Sequence, residues 1–426
     1  MGLNRIKKNI TKTFLGLSSF QMLAMFRRGL FYTYLSIYMR DFLSLSVTMT
    51  TLYATFPMIM SVIFQNFVWG PISDKFQRRR TLIILGEILA GVGTIIVWFI
   101  HTRFDNLFIA GLVIIIGLTC IEAFWSMSNI GWSALISDLY PSQDRNRIMG
   151  QLTSIGGLGR IIGITIGGYL YDNGFGFRNG PLFFIASFVM FISTLPMLFT
   201  PEGGITHMRK KPNSQVNEIN HKKVNSKFKW IFIIFIFALI FINFGRNSIA
   251  TTYSQYLVLD SGFNVDSINL SYIANTRSLA VLIIGFSTGF FSKKLGQYTT
   301  FIFGICLAII ALIITAFTVD LSLIYIGSFI FGAGDVIITA SSYTLASNLI
   351  PEKVRAKLFG VYNTTFFLSW GLAGTLISGP TIDLLLNKGL NEVFAYQFSF
   401  NMAALITEFG LLIIILLEIL IKRKKS

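Results

Sequence analysis

Nine ionisable side chains interrupt otherwise apolar stretches of this chain: Arg27, Arg28, Glu87, Glu122, Arg160, Arg246, Arg277, Asp335 and Glu408. A charge held in hydrocarbon costs about 2.5 kcal/mol or more, so such residues mark substrate or proton paths by default. The proton occupancy of a carboxylate there responds to desolvation and to a nearby arginine, and it can change when the site exchanges one solution for another. Asp335, within the run Gly332, Ala333, Gly334, and Glu122 are therefore the candidate proton-coupling groups. Arg28, Arg246 and Arg27 are candidate substrate or counter-ion residues, with Tyr34 and Trp125 as aromatic surface beside them. The competing reading of each carboxylate is a static ion pair tying two helices together. That structural reading is favoured for Glu87 and Glu408, and Arg160 and Arg277 are left undecided.

The elements that position these groups follow from composition. The 426 residues are 53% hydrophobic and 13% charged, about half the charged fraction of a soluble domain. Apolar segments fall near 13–40, 47–72, 80–101, 106–138, 148–171, 181–200, 229–258, 266–291, 299–317, 322–348, 357–384 and 394–421. No period-2 pattern supports a membrane barrel. This is expected to be an all-α polytopic membrane protein with 12 transmembrane helices. Residues 1–200 form an N-terminal six-helix bundle, 201–228 a polar, basic cytoplasmic linker, and 229–426 a C-terminal six-helix bundle.

The net charge of +16 does not point to nucleic acid. Twenty-six of the 35 Lys and Arg lie in the tails and in alternate loops, the mark of a cytoplasmic face, so both termini are placed in the cytoplasm and the span count is even. The basic start runs into a long span with no small-residue cleavage site, so no cleavable signal peptide is expected. The three His are scattered and the two Cys fall within spans, so no metal centre, cofactor or disulfide framework is implied. No catalytic residues are assigned, and a soluble or intramembrane enzyme is disfavoured.

Internal repetition adds a second signal. Gly70, Ser73 and Lys75 recur 219 residues on as Gly289, Ser292 and Lys294. Pro141, Arg145 and Gly150 recur 210 residues on as Pro351, Arg355 and Gly360. Arg28, Thr33, Ser36 and Tyr38 recur at an offset of 218 as Arg246, Thr251, Ser254 and Tyr256.

The loop after the second span reads Gly70, Pro71, Ile72, Ser73, Asp74, Lys75, Phe76, Gln77, Arg78, Arg79. It resembles the signature loop of the major facilitator superfamily of secondary transporters, matching at Gly70, Asp74, Lys75, Arg78 and Arg79, with Gln77 where a second Gly is usual. The resemblance implies two pseudo-symmetric bundles with spans one, four, seven and ten around a central cavity. It implies a gating cluster in which Asp74 meets the start of span eleven and the motif arginines meet Asp138. Gly150, Gly159, Gly163, Gly167 and Gly168 in span five resemble the glycine pattern of the drug and metabolite exporter branch, with Ile164 in place of its proline; in that branch this face packs against the other half. The arginine that such exporters carry near Leu118 and Thr119 is missing.

The function these features imply is alternating-access transport, read as proton-coupled export of a small organic, amphipathic or anionic molecule. Alternatives are proton-coupled uptake of an organic anion or sugar, or flipping of an anionic glycolipid. Expected partners are that small molecule and the lipid bilayer of the cell membrane, with the monomer as the working unit and an ion gradient in place of a cofactor.

Overall fold

The computed structural model describes residues 2–140, 142–204, 226–350 and 355–423. Residues 205–225, with His207 and His221, and the repeat prolines Pro141 and Pro351 lie outside the described residues. Among the described residues sixteen α-helices follow one another and no strand occurs: α1 Gly2–Ile37, α2 Val47–Phe64, α3 Gly70–Phe76, α4 Arg79–His101, α5 Leu107–Leu139, α6 Ser142–Tyr171, α7 Phe175–Arg178, α8 Pro181–Met197, α9 Ser226–Ser248, α10 Thr252–Val258, α11 Ser267–Leu295, α12 Gln297–Phe317, α13 Leu321–Leu349, α14 Arg355–Ala373, α15 Gly379–Asn387 and α16 Glu392–Arg423. All twelve apolar segments read from the sequence are thus helical. Eight helices among the described residues are long and apolar enough to cross a membrane, or nine if the pair bent by 105° at residues 178–181 counts as one span. Segments one and eleven are not among these, since each trades apolar residues for polar ones.

Two of the predicted spans are interrupted where proline demands it. Pro71 and Pro380 each follow a glycine and lack the N–H of an α-turn, and their rings crowd the carbonyl four residues back. The backbone widens just ahead of each into a five-residue π-helical turn, Gln65–Trp69 before Gly70 and Gly374–Ser378 before Gly379. The segment expected at 229–258 also breaks, with α9 ending at Ser248 and α10 starting at Thr252.

The chain divides into two compact units, Met1–Leu45 with Phe56–Val216, and Ser46–Thr55 with Asn217–Ser426. In the first, α1 packs on α6 and α8, and α4 on α5 and α8; Leu17, Phe20, Ile83, Leu135 and Met197 form part of a buried core. In the second, α9 packs on α14 and α16, and α12 on α13 and α16, around Phe235, Leu239, Phe301, Ile305 and Ile338. Each unit therefore pairs its first helix with its fifth and sixth segments and its third with its fourth and sixth.

The glycine face of α6 makes close contact inside its own unit. A β-carbon at Gly159, Gly163 or Gly167 would strike the backbone oxygens of Met22, Phe26 and Leu30 in α1, and one at Gly29 would strike that of Arg160. The face therefore seats α6 on α1 within the first unit, because glycine alone lets two backbones close to this distance in lipid. Gly150 has nothing within 4 Å of its would-be β-carbon. Gly163→Val should cost about 1–3 kcal/mol of overpacking and lower the thermal midpoint of the detergent-purified protein, whereas Gly150→Ala should leave it unchanged. Equal midpoints for the two variants would disprove the α1–α6 seating.

Candidate functional site

The close α1–α6 contact brings three arginines to one level of the first unit. Arg28 lies within electrostatic reach of Arg27, Glu122, Tyr32 and Arg160. Trp125 of α5 is the plate against which two of them rest, its ring centre 4.3 Å from the Arg27 guanidinium and 4.8 Å from that of Arg28. Arginine over indole is attracted by the ring quadrupole. The indole is itself held, since its Nε1 donates to Glu87 Oε1 at 2.8 Å and Ser128 Oγ donates to the same oxygen at 2.8 Å. Gly86, next to Glu87, permits this by leaving room for the backbone of Ser128.

Glu87 is thus a structural acid, as its position suggested, but one that orients the aromatic plate. Glu122 is buried at 9% exposure, and Arg27 at 5%. The Nε and Nη2 atoms of Arg27 have no hydrogen-bond partner among the described residues. These two atoms form the side-on edge with which arginine grips an oxyanion bidentately. Tyr34 is fully buried, donates its hydroxyl to the Ile164 carbonyl at 2.8 Å and stacks on Tyr171. Its place is in the α1–α6 packing, which corrects its reading as a substrate contact.

The second unit carries a tighter constellation. Arg246, near the end of α9, is ion-paired with Asp335 of α13, and Arg277 of α11 reaches the other carboxylate oxygen at 3.4 Å. Gly332 sets this up by letting α13 close on the carbonyl of Arg277. Asn243 Oδ1 accepts from Arg246 Nε and Nη2 at 3.2 and 3.1 Å, and Asn243 Nδ2 donates to Thr365 at 3.1 Å. The Arg277 guanidinium lies 4.2 Å from the Phe331 ring centre, and that of Arg246 lies 5.6 Å from Phe366. One carboxylate between two guanidiniums leaves a net positive group, and losing that carboxylate's charge would free both. Arg277, undecided from sequence, belongs to this site.

Glu408 does not take the structural role expected of it. It lies exposed midway along α16, on the face that carries the exposed Leu405, Leu412 and Leu416, and it makes no ion pair or hydrogen bond among the described residues.

The signature loop is built around Arg79, which is 6% exposed. Its Nε meets Asp138 at 3.2 Å, its Nη2 meets Asp74 at 3.3 Å, and its Nη1 donates to Ser73. Lys75 and Arg78 are exposed. Gln77 adopts the left-handed φ of 56° that the usual glycine would supply, so the turn survives the substitution. The Asp74 side chain is 80% exposed, and the start of span eleven, where the resemblance placed it, borders residues outside those described.

Sequence reasoning missed Glu202. It accepts from Thr81 N and Thr81 Oγ1 at 2.9 and 3.0 Å, capping the start of α4, and lies 3.2 Å from Arg80. Gly204 N donates to Asp138 at 2.9 Å, at a φ of 93° open to glycine. The beginning of the predicted linker is therefore docked on the loop rather than solvated. The only signal was the Pro-Glu-Gly-Gly composition itself.

A helical membrane chain with charge gathered inside each unit is the class these features define. Residues 17–374 match the model of the Major Facilitator Superfamily, and the chain belongs to that family. It is 24% identical over 358 residues, 84% of this chain and 86% of the relative, to the quinolone resistance protein NorA of Staphylococcus aureus. It is 25% identical over 313 residues, 72% of this chain and 71% of the relative, to the multidrug resistance protein MdtG of Yersinia enterocolitica. Among solved structures, the nucleoside transporter NupG superposes with a TM-score of 0.71 at 14% identity, covering 94% of this chain and 98% of that one. A bacterial homologue of the human lysosomal transporter Spinster gives 0.71 at 15% identity, covering 96% and 97%. The protein is a membrane transporter and not an enzyme.

Arg79→Ala should destabilise the first unit by about 3–5 kcal/mol, because it strands Asp138 half-buried beside a vacated guanidinium site, and Arg79→Lys should recover only part of this because the fork is lost. Thermal unfolding of the purified variants reads both, and a midpoint for Arg79→Ala indistinguishable from wild type would contradict the central place of Arg79 in the loop.

Proposed function

We propose that this chain is a proton-coupled exporter of small organic, amphipathic molecules, working by alternating access in the cell membrane as a monomer of twelve spans with both termini cytoplasmic. The observation that carries it is the Arg246–Asp335–Arg277 cluster inside membrane-spanning helices. Asp335 is the proton carrier and Glu122 the second protonatable group. A proton and a cationic or hydrogen-bonding substrate that use the same carboxylate exclude one another, which is the condition for exchange in opposite directions. The drug-resistance names of NorA and MdtG support export.

A second reading is favoured by one observation, the unclaimed Nε–Nη2 edge of Arg27. An oxyanion competes with the carboxylate for arginine instead of competing with the proton. Protonating Asp335 then frees Arg246 and Arg277 for an anion as well, and the two travel together, as in uptake symport. The charge of the substrate thus decides the sign of coupling.

In proteoliposomes with an imposed pH gradient, the wild-type protein should accumulate a quinolone on the acidic side, and Asp335→Asn should reduce that accumulation at least tenfold. Undiminished accumulation against the gradient by Asp335→Asn would remove Asp335 from the coupling role. Accumulation only of anions, on the alkaline side and with proton uptake, would replace export by the second reading.

A further inference from the structure

One structural element occurs twice in this chain, in two different settings. After the π-turn Gln65–Trp69 comes Gly70-Pro71-Ile72-Ser73-Asp74, and after the π-turn Gly374–Ser378 comes Gly379-Pro380-Thr381-Ile382-Asp383. In both, a Gly-Pro pair forces the widened turn and an aspartate follows three residues after the proline, one turn further along the helix. Asp74 is 80% exposed beside Arg79. Asp383 instead accepts from the backbone N–H of Val47 at 2.9 Å and of Thr48 at 2.8 Å, one through each oxygen. Those are unpaired donors at the start of α2, where the helix dipole also favours a carboxylate.

Around this cap, residues 46–55 are bound side chain by side chain to the rest of the second unit. Thr51 and Thr55 hydroxyls meet that of Thr375 at 2.7 and 2.6 Å, and Thr55 also donates to the Gly371 carbonyl. Gln255 Nε2 donates to Thr50 at 2.8 Å and is held in turn by Tyr396. A β-carbon at Gly379 would come within 2.8 Å of the Thr48 Cα, so this position has no room for a side chain. The unit boundary, between Thr55 and Phe56, lies in mid-helix beside Pro57, whose missing N–H and ring weaken α2 at that level.

We propose that Asp383 is a positioning residue for the transport cycle: a releasable cap that clasps residues 46–55 to α15, at the end of the 47–76 span opposite Arg79, with Pro57 as the hinge that lets this stretch of α2 part from it. The cap is electrostatic and small, so it opens without unfolding either helix. The threonine hydroxyls that accompany it exchange their partners for water at little cost. The inference rests on the transport reading for its purpose, although the cap can be measured without any substrate.

Hydrogen–deuterium exchange of the full-length protein in nanodiscs tests it. In Asp383→Asn, and more so in Asp383→Leu, amides of residues 46–55 should exchange at least tenfold faster than in wild type. The α12 core, residues 301–312, should keep its wild-type rate, and Asp383→Glu should restore most of the protection at 46–55. Faster exchange throughout the second unit in Asp383→Asn would show an ordinary stabilising contact and overturn the proposal, as would unchanged exchange at 46–55. In proteoliposomes the same Asn variant should change the turnover of a quinolone while leaving its half-saturating concentration within twofold. If no transport of any kind is found but exchange behaves as stated, the transport reading fails and the releasable cap stands.

Discussion

Arginine facing carboxylate inside apolar surroundings is the interaction on which the rest of this molecule depends. A lone charge in a spanning helix is expensive, and replacing one partner of a buried pair is worse than replacing both. The chain meets that constraint with clusters in which the partners come from different helices: Arg246 and Arg277 on Asp335, Arg79 on Asp138, Glu87 on Trp125 and through its ring on Arg27 and Arg28. Each cluster fixes helices to one another more specifically than lipid-like packing could, because apolar side chains gain little from leaving hydrocarbon for a neighbouring helix. Each also holds a net charge that can be altered by one proton or one ligand. On the proposed transport reading, stability and function draw on the same pairs.

Glycine determines where those pairs can form. Gly29, Gly159, Gly163 and Gly167 bring α1 and α6 into backbone contact, which sets Arg27, Arg28 and Arg160 at one depth. Gly332 does the same for Asp335 beside Arg277, and Gly86 for Glu87 beneath Trp125. The glycine pattern of α6 is, within its own unit, the foundation of a charge cluster.

Much of this was legible in the residues, and the gaps have physical causes. Charges within apolar runs announce themselves, which is why Asp335, Glu122, Arg246 and Arg28 could be named as candidates without coordinates, whereas the pairing of the loop arginines with Asp138 was named through the family resemblance alone. The helical segments were legible for the same reason. Aromatic residues carry no such mark: Tyr34 and Trp125 stand in similar surroundings, yet one closes a helix joint and the other supports two guanidiniums. Glu202 and Asp383 escaped notice because a capping carboxylate looks like any acid at the end of a helix until its partner, 121 residues away for Glu202 and 336 for Asp383, is known. Glu408 was misjudged because periodicity locates a residue on a helix but does not say whether that face meets protein or its surroundings.

Whether the Arg246–Asp335 pair is the organising contact of the second unit is answered most directly by a double-mutant cycle on the thermal stability of the purified protein. Asp335→Leu should cost about 3–5 kcal/mol by stranding the Arg246 charge, Arg246→Met should cost less because Arg277 stays on Asp335, and the double variant should be at least as stable as Asp335→Leu alone. If the two losses simply add, the residues are neighbours without being partners, and no buried ion pair organises the second unit.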